Sequence, residues 1–379
     1  MTQVAVGLDN HQDGFRCGVN AVRAAGLEQV DLALLFVSHP EPAQVLKGVN
    51  NILKNVPVIG ITSAGQYTHD GYVDNGAGVM LIRSSQIRFF PLTFKPRWFW
   101  QNKTLFSDLN GISENGLGGN YPYRTLMLFP DDQSMSLDGM INKALTETAM
   151  LYDILGGPGP TMPTPPKPPI LFCNQQIIRK GMVGAEILSM NSFGLALANG
   201  WQPASGPYRI TKVDKRRVIT IDGRPSQEVY EDFFEEHQIT SIDLMQYPIG
   251  ICYAGDCKVS IVMGFDSDGA LLTTSPPREN TLVYILTTKP DSMTQAATRA
   301  VLSARENLQG RQPAGALFID CMSTAMILKD SYIKQREAVQ QGIGDIPFLG
   351  FRSHGVLARL PGKLAGHYEC SVAAWLISE

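Results

Sequence analysis

The residues with the clearest chemical potential lie in two similar glycine turns at opposite ends of the sequence. The stretches "VPVIGITSAG" (56–65) and "IPFLGFRSHG" (346–355) both consist of an apolar strand followed by Gly-x-x-Ser-x-Gly. Glycines at such a turn allow backbone N–H groups to approach a ligand closely. We therefore expect the turns to face each other around a shared hollow that binds a ligand. The alternative is that the glycines only form tight turns.

Three side chains near these turns could contact a ligand directly. Arg352 can hold a carboxylate or phosphate through two hydrogen bonds, Cys321 ends an apolar strand, and His354 could bind a ligand or a haem iron. If these residues do not bind a ligand, Arg352 is an exposed arginine, Cys321 is a thiol of the core and His354 is a hydrogen-bonded residue of the turn. A middle strand adds a third glycine pair. The complete predicted ligand-binding set is Gly60, Thr62, Ser63, Gly65, Gly156, Gly157, Cys321, Gly350, Arg352, Ser353 and His354.

The sequence does not assemble a catalytic or metal-binding set. Two residues separate the glycine from Ser63 and from Ser353, whereas the Gly-x-Ser-x-Gly nucleophile elbow has one. The histidines and cysteines lack the spacing of metal ligands, and neither a Walker loop nor a GxGxxG turn is present. We predict a protein that is not an enzyme. A hydrolase that uses Ser63 or Ser353 is a third hypothesis.

The glycine turns belong to a longer pattern that occurs three times. An apolar strand, an amphipathic helix, a second strand with its turn and a later strand follow in this order. The first strands are "DLALLFV", "RTLMLFP" and "GALFIDC". Continuous apolar runs are typical of strands buried on both faces. We predict an α/β (α+β mixed) protein in which repeated β-α-β-β units form layered mixed sheets flanked by helices.

Length and composition limit the classes of protein. At 379 residues, the chain is expected to form two domains, 1–223 and 224–379. A formal net charge of −3 gives no basic surplus for nucleic acid. Without a signal peptide or an apolar run of membrane-spanning length, we expect a cytoplasmic protein with no membrane partner. The six cysteines are then expected to be free thiols.

Three local predictions complete the pattern. Residues 156–169, rich in proline and glycine, are expected to form an extended surface loop. The runs "PILFCNQQ" and "MVGAEILS" are expected to pair as a hairpin. Ser226 is expected to be the N-cap of the helix "SQEVYEDFFEEH".

The order of these segments resembles one protein family. "VPVIGITSAGQ", "NGWQPASGPYRITKVDKRRVITIDGRPSQEVYEDFF", "YPIGICYAG", "GFDSDGALLTT", "GALFIDC" and "IPFLGFRSHG" are similar, in sequence of appearance, to segments of FIST domain proteins. FIST is the sensory module named for F-box and intracellular signal transduction proteins. The resemblance covers about residues 25–378 and implies FIST N-terminal and C-terminal domains in the bacterial stand-alone form.

This resemblance implies a function. FIST proteins are regarded as sensors of small ligands, amino acids among them, that act on a histidine kinase or another signalling protein. Some bacterial members resemble haem-binding nitric oxide sensors, which makes haem an alternative cofactor. The family usually has an acidic residue after each glycine turn, where this chain has Gln66, Pro160 and Val356. It also lacks the family's arginine after Cys321, so the resemblance implies altered or lost ligand binding.

Overall fold

The structure, a computed structural model, describes residues 1–95, 104–113, 119–131, 133, 136–163, 166–240 and 243–379. Its α-helices are α1 (Gly14–Ala25), α2 (Pro42–Leu53), α3 (Leu137–Glu147), α4 (Ser226–Glu236), α5 (Pro290–Asn307), α6 (Met322–Leu328) and α7 (Tyr332–Ile343). Short 3₁₀ helices cover Leu244–Gln246 and Lys329–Ser331. The strands are β1 (Thr2–Asp9), β2 (Leu32–Val37), β3 (Val58–Thr62), β4 (Gln66–Thr68), β5 (Gly71–Val73), β6 (Ala77–Ser84), β7 (Ile87–Phe94), β8 (Tyr123–Pro130), β9 (Asp153–Gly156), β10 (Met162–Pro163), β11 (Pro166–Lys167), β12 (Leu171–Cys173), β13 (Gln176–Ile178), β14 (Met182–Ser189), β15 (Gly194–Ala198), β16 (Gln202–Asp214), β17 (Arg217–Ile221), β18 (Arg224–Pro225), β19 (Ile249–Tyr253), β20 (Asp256–Ser260), β21 (Val262–Phe265), β22 (Leu271–Thr273), β23 (Leu282–Thr287), β24 (Pro313–Cys321), β25 (Phe348–Ser353), β26 (Val356–Arg359), β27 (Gly366–Tyr368) and β28 (Val372–Ser378).

Three six-stranded mixed sheets carry most of the strands. Their strand orders are β1-β6-β2-β3-β12-β13, β27-β26-β9-β8-β14-β7 and β15-β28-β24-β25-β4-β5, here called sheets 1, 2 and 3. A fourth sheet has the order β20-β19-β23-β16-β17-β22-β21, with β18 beside β17. The predicted mixed α/β fold with layered sheets and flanking helices is confirmed.

Each of the first three sheets contains the same strand–helix–strand arrangement. In sheet 1, β2 is parallel to β3 and antiparallel to β6. In sheet 2, β8 is parallel to β9 and antiparallel to β14. In sheet 3, β24 is parallel to β25 and antiparallel to β28. We call these groups, with α2, α3 and α7 respectively, units 1, 2 and 3.

The three units exchange strands in a closed ring. After its glycine turn, unit 1 adds β4 to β25 of unit 3. Unit 3 adds β26 to β9 of unit 2, and unit 2 adds β12 to β3 of unit 1. Because each turn joins one sheet to the next, the three turns lie close to the common axis of the three sheets.

An apolar core fills the space between the inner faces of these sheets. Phe36, Phe129 and Phe351 come from sheets 1, 2 and 3. The rings of Phe36 and Phe351 stack with centroids 3.7 Å apart, and Phe129 meets both at their edges. Helices α1 and α2 cover the outer face of sheet 1, α3 that of sheet 2, and α5 with α7 that of sheet 3. Helix α4 packs on the fourth sheet.

Helix ends follow local chemistry that can be read from the residues. The carboxylate of Asp13 accepts a hydrogen bond from the Arg16 N–H, which caps α1, and Gly26 ends the helix at φ 68°. The expected cap at Ser226 is wrong. Pro225 is the N-cap residue, and the buried Ser226 hydroxyl instead donates to the Val218 carbonyl at 2.7 Å.

Two predictions about the segment after β9 are wrong. Residues 156–160 are buried, because their glycines pack between units, so this part of 156–169 is not a surface loop. Strand β12 pairs with β13 and β3, whereas β14 lies in sheet 2 between β8 and β7. The expected hairpin between the two runs therefore does not form. The division of the chain at 223/224 stays a prediction, and sheet 3 combines strands from both sides of it.

The prediction that all six cysteines are free thiols is wrong. Cys252 and Cys257 form a disulfide, because they lie directly opposite each other in the β19–β20 hairpin. The remaining cysteines, Cys17, Cys173, Cys321 and Cys370, are free and buried. None of the helices in the described ranges is long and apolar enough to cross a membrane.

Reducing this disulfide is expected to lower the free energy of unfolding by about 2 kcal/mol, because a short closed loop restricts the unfolded chain only modestly. Urea denaturation with and without a reductant measures the change. A Cys252→Ser, Cys257→Ser double variant, which has no bond to reduce, is the control and should not respond to the reductant. Superimposable curves for the wild type would contradict the prediction.

Candidate ligand-binding site

The predicted residues of unit 3 point to two opposite faces of sheet 3. Strands β24 and β25 pair in register, Asp320 beside Arg352 and Cys321 beside Ser353. Since side chains alternate along a strand, Asp320 and Arg352 project toward α7. Cys321 and Ser353 project toward the interior of the three sheets.

On the outer face, Arg352 joins unit 3 to the β4–β5 hairpin of unit 1. Its Nη2 donates to the carbonyl oxygen of Ala64 and to the hydroxyl of Tyr72. The two backbones also exchange hydrogen bonds here: the Arg352 N–H donates to the Gly65 carbonyl, and the Ala64 N–H donates to the Arg352 carbonyl. Burial lowers the pKa of Arg352, although no carboxylate forms an ion pair with it in the described residues.

A second arginine from α7 lies against the same aromatic rings. The guanidinium carbon of Arg336 is 4.8 Å from the ring centroid of Tyr72 and 5.9 Å from that of Tyr332. For Arg352 the corresponding distances are 5.0 and 5.8 Å. Two guanidinium groups therefore share one pair of tyrosine rings, an arrangement stabilised by cation–π attraction.

A buried carboxyl group, that of Asp320, lies on the same face of sheet 3 as Arg352. Asp320 Oδ2 accepts from the Tyr332 hydroxyl at 2.6 Å and from Gln335 Nε2 at 3.0 Å. Burial raises the pKa of Asp320 to about 7. Tyr67, fully buried on β4, has its pKa raised by burial and by the charge of Asp320, whereas Arg336 and Arg352 act in the opposite direction. All of these groups therefore interact electrostatically.

Several polar atoms of this region are buried and have no hydrogen-bond partner within the described part of the chain. They are Tyr67 Oη, Asp320 Oδ1, Gln335 Oε1, Arg336 Nε and Arg352 Nε. Buried polar groups are nearly always paired in folded proteins. We call the group formed by Tyr67, Tyr72, Asp320, Tyr332, Gln335, Arg336 and Arg352 the arginine–tyrosine site.

Two of the predicted glycines make room for this site. A Cβ atom on Gly350 would lie 2.2 Å from Cζ of Tyr67. On Gly65, whose φ is 140°, a Cβ would lie 2.7 Å from Nη2 of Arg352. Larger residues at these turns would displace the aromatic and guanidinium groups that meet there.

The inner face holds a second group of predicted residues, close to the common axis. The Ser353 hydroxyl donates to the carbonyl oxygens of Gly355 and Asp320 at 2.5 and 3.3 Å. A Cβ on Gly157 would lie 2.8 Å from the Ser353 Cβ. His354 donates its backbone N–H to Pro158, and its carbonyl contacts His367 Nε2 at 2.8 Å. The three turns thus meet, but through tight contacts.

Cys321 lies in the same inner group. The Cys370 thiol donates to Cys321, and this hydrogen bond, against the effect of burial, lowers the pKa of the Cys321 thiol. His354 acts in the same direction. Both cysteines are buried, so the low pKa belongs to a thiol without open access to solvent.

The other predicted residues serve contacts between strands. A Cβ on Gly60 would lie 1.8 Å from the Leu35 carbonyl oxygen, and one on Gly156 would lie 1.9 Å from that of Leu128. The Thr62 hydroxyl accepts from the backbone N–H of Ile170 at 2.9 Å. Ser63, fully buried, accepts a hydrogen bond from Gln66 Nε2. The two glycines thus allow close strand approach within units 1 and 2, whereas Thr62 links unit 1 to the segment that leads into β12.

The shared hollow that we expected between the turns is closely packed. Among the four principal cavities of the described residues, none is lined by a residue of the three turns, and none has a histidine in its lining. The described residues also contain no group of three or more side chains arranged to hold a metal ion. None of these four cavities therefore offers a histidine that could bind a haem iron.

Comparison with models of protein families shows to which family the chain belongs. A model of the FIST N domain matches residues 31–224, and a model of the FIST C domain matches residues 227–359. The chain belongs to the FIST family. FIST domains are sensor domains of signal transduction. The resemblance predicted from the sequence is therefore confirmed.

Other comparisons add little to the FIST assignment. No curated protein sequence matches the chain. Among solved structures, the crystal structure of a chorismatase is similar over 100% of this chain and 98% of that one, with 7% sequence identity and a TM-score of 0.37. A likeness this distant carries no argument about activity.

The structure shows what occupies one position where the chain departs from the usual FIST pattern. Gln66, in place of an acidic residue, is fully buried. Its Nε2 donates to the Ser63 hydroxyl, and its Oε1 accepts from the Ser38 hydroxyl at 3.1 Å. An amide satisfies a donor and an acceptor at once, so a neutral side chain fits this buried turn.

Sequence reasoning missed most of the arginine–tyrosine site of this FIST chain. It found Arg352 and predicted a helix at the position of α7, but it did not assign any side chain of that helix to the site. A signal was available, because Asp320 is a carboxylate inside an apolar strand run. Tyr332 and Arg336 are also four residues apart on α7, which places both on one face of the helix. The contribution of Tyr67 and Tyr72 required the exchange of strands between units.

Asp320→Asn is expected to change the pH dependence of stability of this FIST protein. A carboxyl group with a pKa of about 7 when folded and 3.8 when unfolded makes the wild type lose stability as pH rises from about 4 to 7. The asparagine variant lacks this loss. Its stability relative to the wild type should therefore increase by up to ~4 kcal/mol between pH 4 and 8.

Urea denaturation of both proteins at several pH values measures this difference. Burial also raises the pKa of Glu369 to about 7. Because both proteins contain Glu369, its titration changes their stability equally and does not affect the difference between them. A stability difference that does not change with pH would show that the Asp320 carboxyl group titrates normally.

Proposed function

We propose that this protein is a non-enzymatic, cytoplasmic sensor that binds a small carboxylate at the arginine–tyrosine site. A histidine kinase or another signalling protein would respond to its occupancy. The observation that carries the proposal is the set of buried, unpartnered polar atoms around Arg336 and Arg352. Polar groups left without partners inside a protein cost free energy, and a bound polar ligand removes that cost.

The charges of the site favour an anion. Arg336 and Arg352 lie against the same two tyrosine rings, and neither forms an ion pair within the described residues. Each guanidinium group can hold a carboxylate through a planar pair of donors. Asp320 opposes an anion only when it is ionised, and its raised pKa keeps much of it neutral near pH 7.

The remaining groups favour a ligand with a hydrogen-bond donor near its carboxylate. Asp320 Oδ1 and Gln335 Oε1 are acceptors without partners, and the Tyr67 hydroxyl can donate or accept. An amino acid or a hydroxy acid has this combination of a carboxylate and an adjacent donor. The two arginines would bind the carboxylate, and Asp320 would accept from the ammonium or hydroxyl group.

The position of the site offers a way to signal. Tyr67 and Tyr72 belong to unit 1, whereas both arginines belong to unit 3. A ligand that contacts both would favour conformations in which the β4–β5 hairpin is held against α7. A partner protein that recognises this surface would then bind according to ligand occupancy.

The experiment is a thermal-shift screen with amino acids, hydroxy acids, their amides and haemin. A ligand that binds the folded state raises the melting temperature by mass action. We expect carboxylates to raise it and the matching amides, which lack the charge, to have little effect. An equal response to amides, or a response to haemin alone with an intense absorption band, would overturn the proposal.

A further inference from the structure

One cavity lies at the junction between α3 of unit 2 and the fourth sheet. It has a volume of about 210 Å³, and its lining includes Asp138, Lys258, Ser260, Pro276, Pro277 and Arg278. We call it the proline-loop cavity. A water molecule needs only about 10–15 Å³ of such volume, so this cavity can admit a small organic molecule.

One wall of the cavity carries a buried hydroxyl group without a partner. Ser260 is 4% exposed, and its Oγ makes no hydrogen bond within the described residues. It follows Lys258 by two positions on β20, so both side chains lie on the same face of that strand. A hydroxyl group in such a place is satisfied when a ligand or water occupies the cavity.

The charged side chains of the lining, which include the exposed Arg278, carry one net positive charge. Lys258 Nζ donates to both carboxylate oxygens of Asp138, at 2.9 and 3.0 Å, so this pair is neutral overall. Asp138 also accepts from the backbone N–H of His367 at 2.9 Å. Arg278 forms no ion pair or side-chain hydrogen bond with the described residues, and it lines the same cavity.

The wall next to Arg278 is rigid and apolar. Pro276 and Pro277 precede it, and proline rings fix the backbone angle φ. Val259 and Ile251 add further apolar surface. A dianion would be repelled by the Asp138 carboxylate, whereas a single carboxylate on a small apolar body matches both the net charge and the apolar wall.

We propose that the proline-loop cavity is a second binding site, for a small organic monocarboxylate. Its carboxylate pairs with the Arg278 guanidinium and accepts a hydrogen bond from the Ser260 hydroxyl. The apolar part of the ligand packs on the proline wall. This site shares no residue with the arginine–tyrosine site and goes beyond the proposed function.

The test measures binding of acetate, lactate and benzoate by calorimetry, with acetamide, lactamide and benzamide as uncharged controls and inorganic phosphate as the competing anion. The wild type should bind at least one carboxylate and neither its amide nor phosphate. Arg278→Gln should weaken this binding at least 10-fold, because the charged hydrogen bonds are lost. Ser260→Ala should weaken it on the order of 3- to 10-fold.

Two variants separate this site from the arginine–tyrosine site. Lys334→Gln changes an exposed residue outside both sites and should leave the binding unchanged. Arg336→Gln tests the other site: a ligand held in the proline-loop cavity keeps its affinity in this variant, whereas a ligand held at the arginine–tyrosine site loses affinity. Loss of binding in Arg336→Gln with retention in Arg278→Gln would overturn this proposal and support the other one. Failure of all three carboxylates to bind, or equal binding of phosphate, would also overturn it.

Discussion

Arg336→Gln is expected to weaken ligand binding at the arginine–tyrosine site by at least 10-fold while the protein stays folded. Arg336 makes no hydrogen bond or ion pair with the described residues, so its removal costs the free protein only its cation–π contacts with Tyr72 and Tyr332. A guanidinium–carboxylate pair in a partly buried site contributes on the order of 1.5–3 kcal/mol. Calorimetric titration with the carboxylate identified by thermal shift measures the loss.

Lys334→Gln provides the matched control, because it removes the same charge from the same helix at an exposed position. It should bind like the wild type. Equal weakening in both variants would mean that the net charge of α7, rather than a specific contact of Arg336, governs binding.

Gly60→Ala is expected to reduce the free energy of unfolding by more than ~4 kcal/mol or to prevent folding. The new Cβ would lie 1.8 Å from the Leu35 carbonyl oxygen. That oxygen belongs to the central strand β2, so it cannot move without disturbing the ladder between β2 and β3. Gly156→Ala should have a similar effect, since its Cβ would lie 1.9 Å from the Leu128 carbonyl.

Gly119→Ala is the control for both variants. No atom of the described residues lies within 4 Å of the Cβ position there, so the stability of this variant should differ from that of the wild type by less than ~0.5 kcal/mol. Urea denaturation measures all three variants. A mild effect of Gly60→Ala would show that the first glycine of the turn is not required for close strand approach.

The strands and helices of units 1 to 3 could be predicted because the signals for them lie in short, local stretches of sequence. Runs such as "DLALLFV" and "GALFIDC" became β2 and β24, and the amphipathic stretch after β2 became α2. The pairing of β12 could not be predicted in the same way. Its partner β3 lies more than 100 residues earlier, and nothing local to "PILFCNQQ" distinguishes that strand from a nearer one.

Part of the candidate site was predictable because its residues lie close together in the sequence. Arg352 and the glycines next to it stand in a visible sequence pattern. The other half of the site depends on which neighbour the β4–β5 hairpin joins, and that is set by packing across the axis between units. The predicted hollow between the turns is absent from the described residues, because Gly157 and Ser353 approach each other closely enough to fill the space.

A double-mutant cycle on Arg336 and Arg352, measured by calorimetric titration of the carboxylate identified by thermal shift, shows whether one ligand contacts both guanidinium groups. If one carboxylate bridges both guanidinium groups, Arg336→Gln and Arg352→Gln should each weaken binding strongly. The double variant should then lose less than the sum of the two, with a coupling energy of about 1 kcal/mol or more. Unchanged affinity in the double variant would show that neither arginine binds the carboxylate.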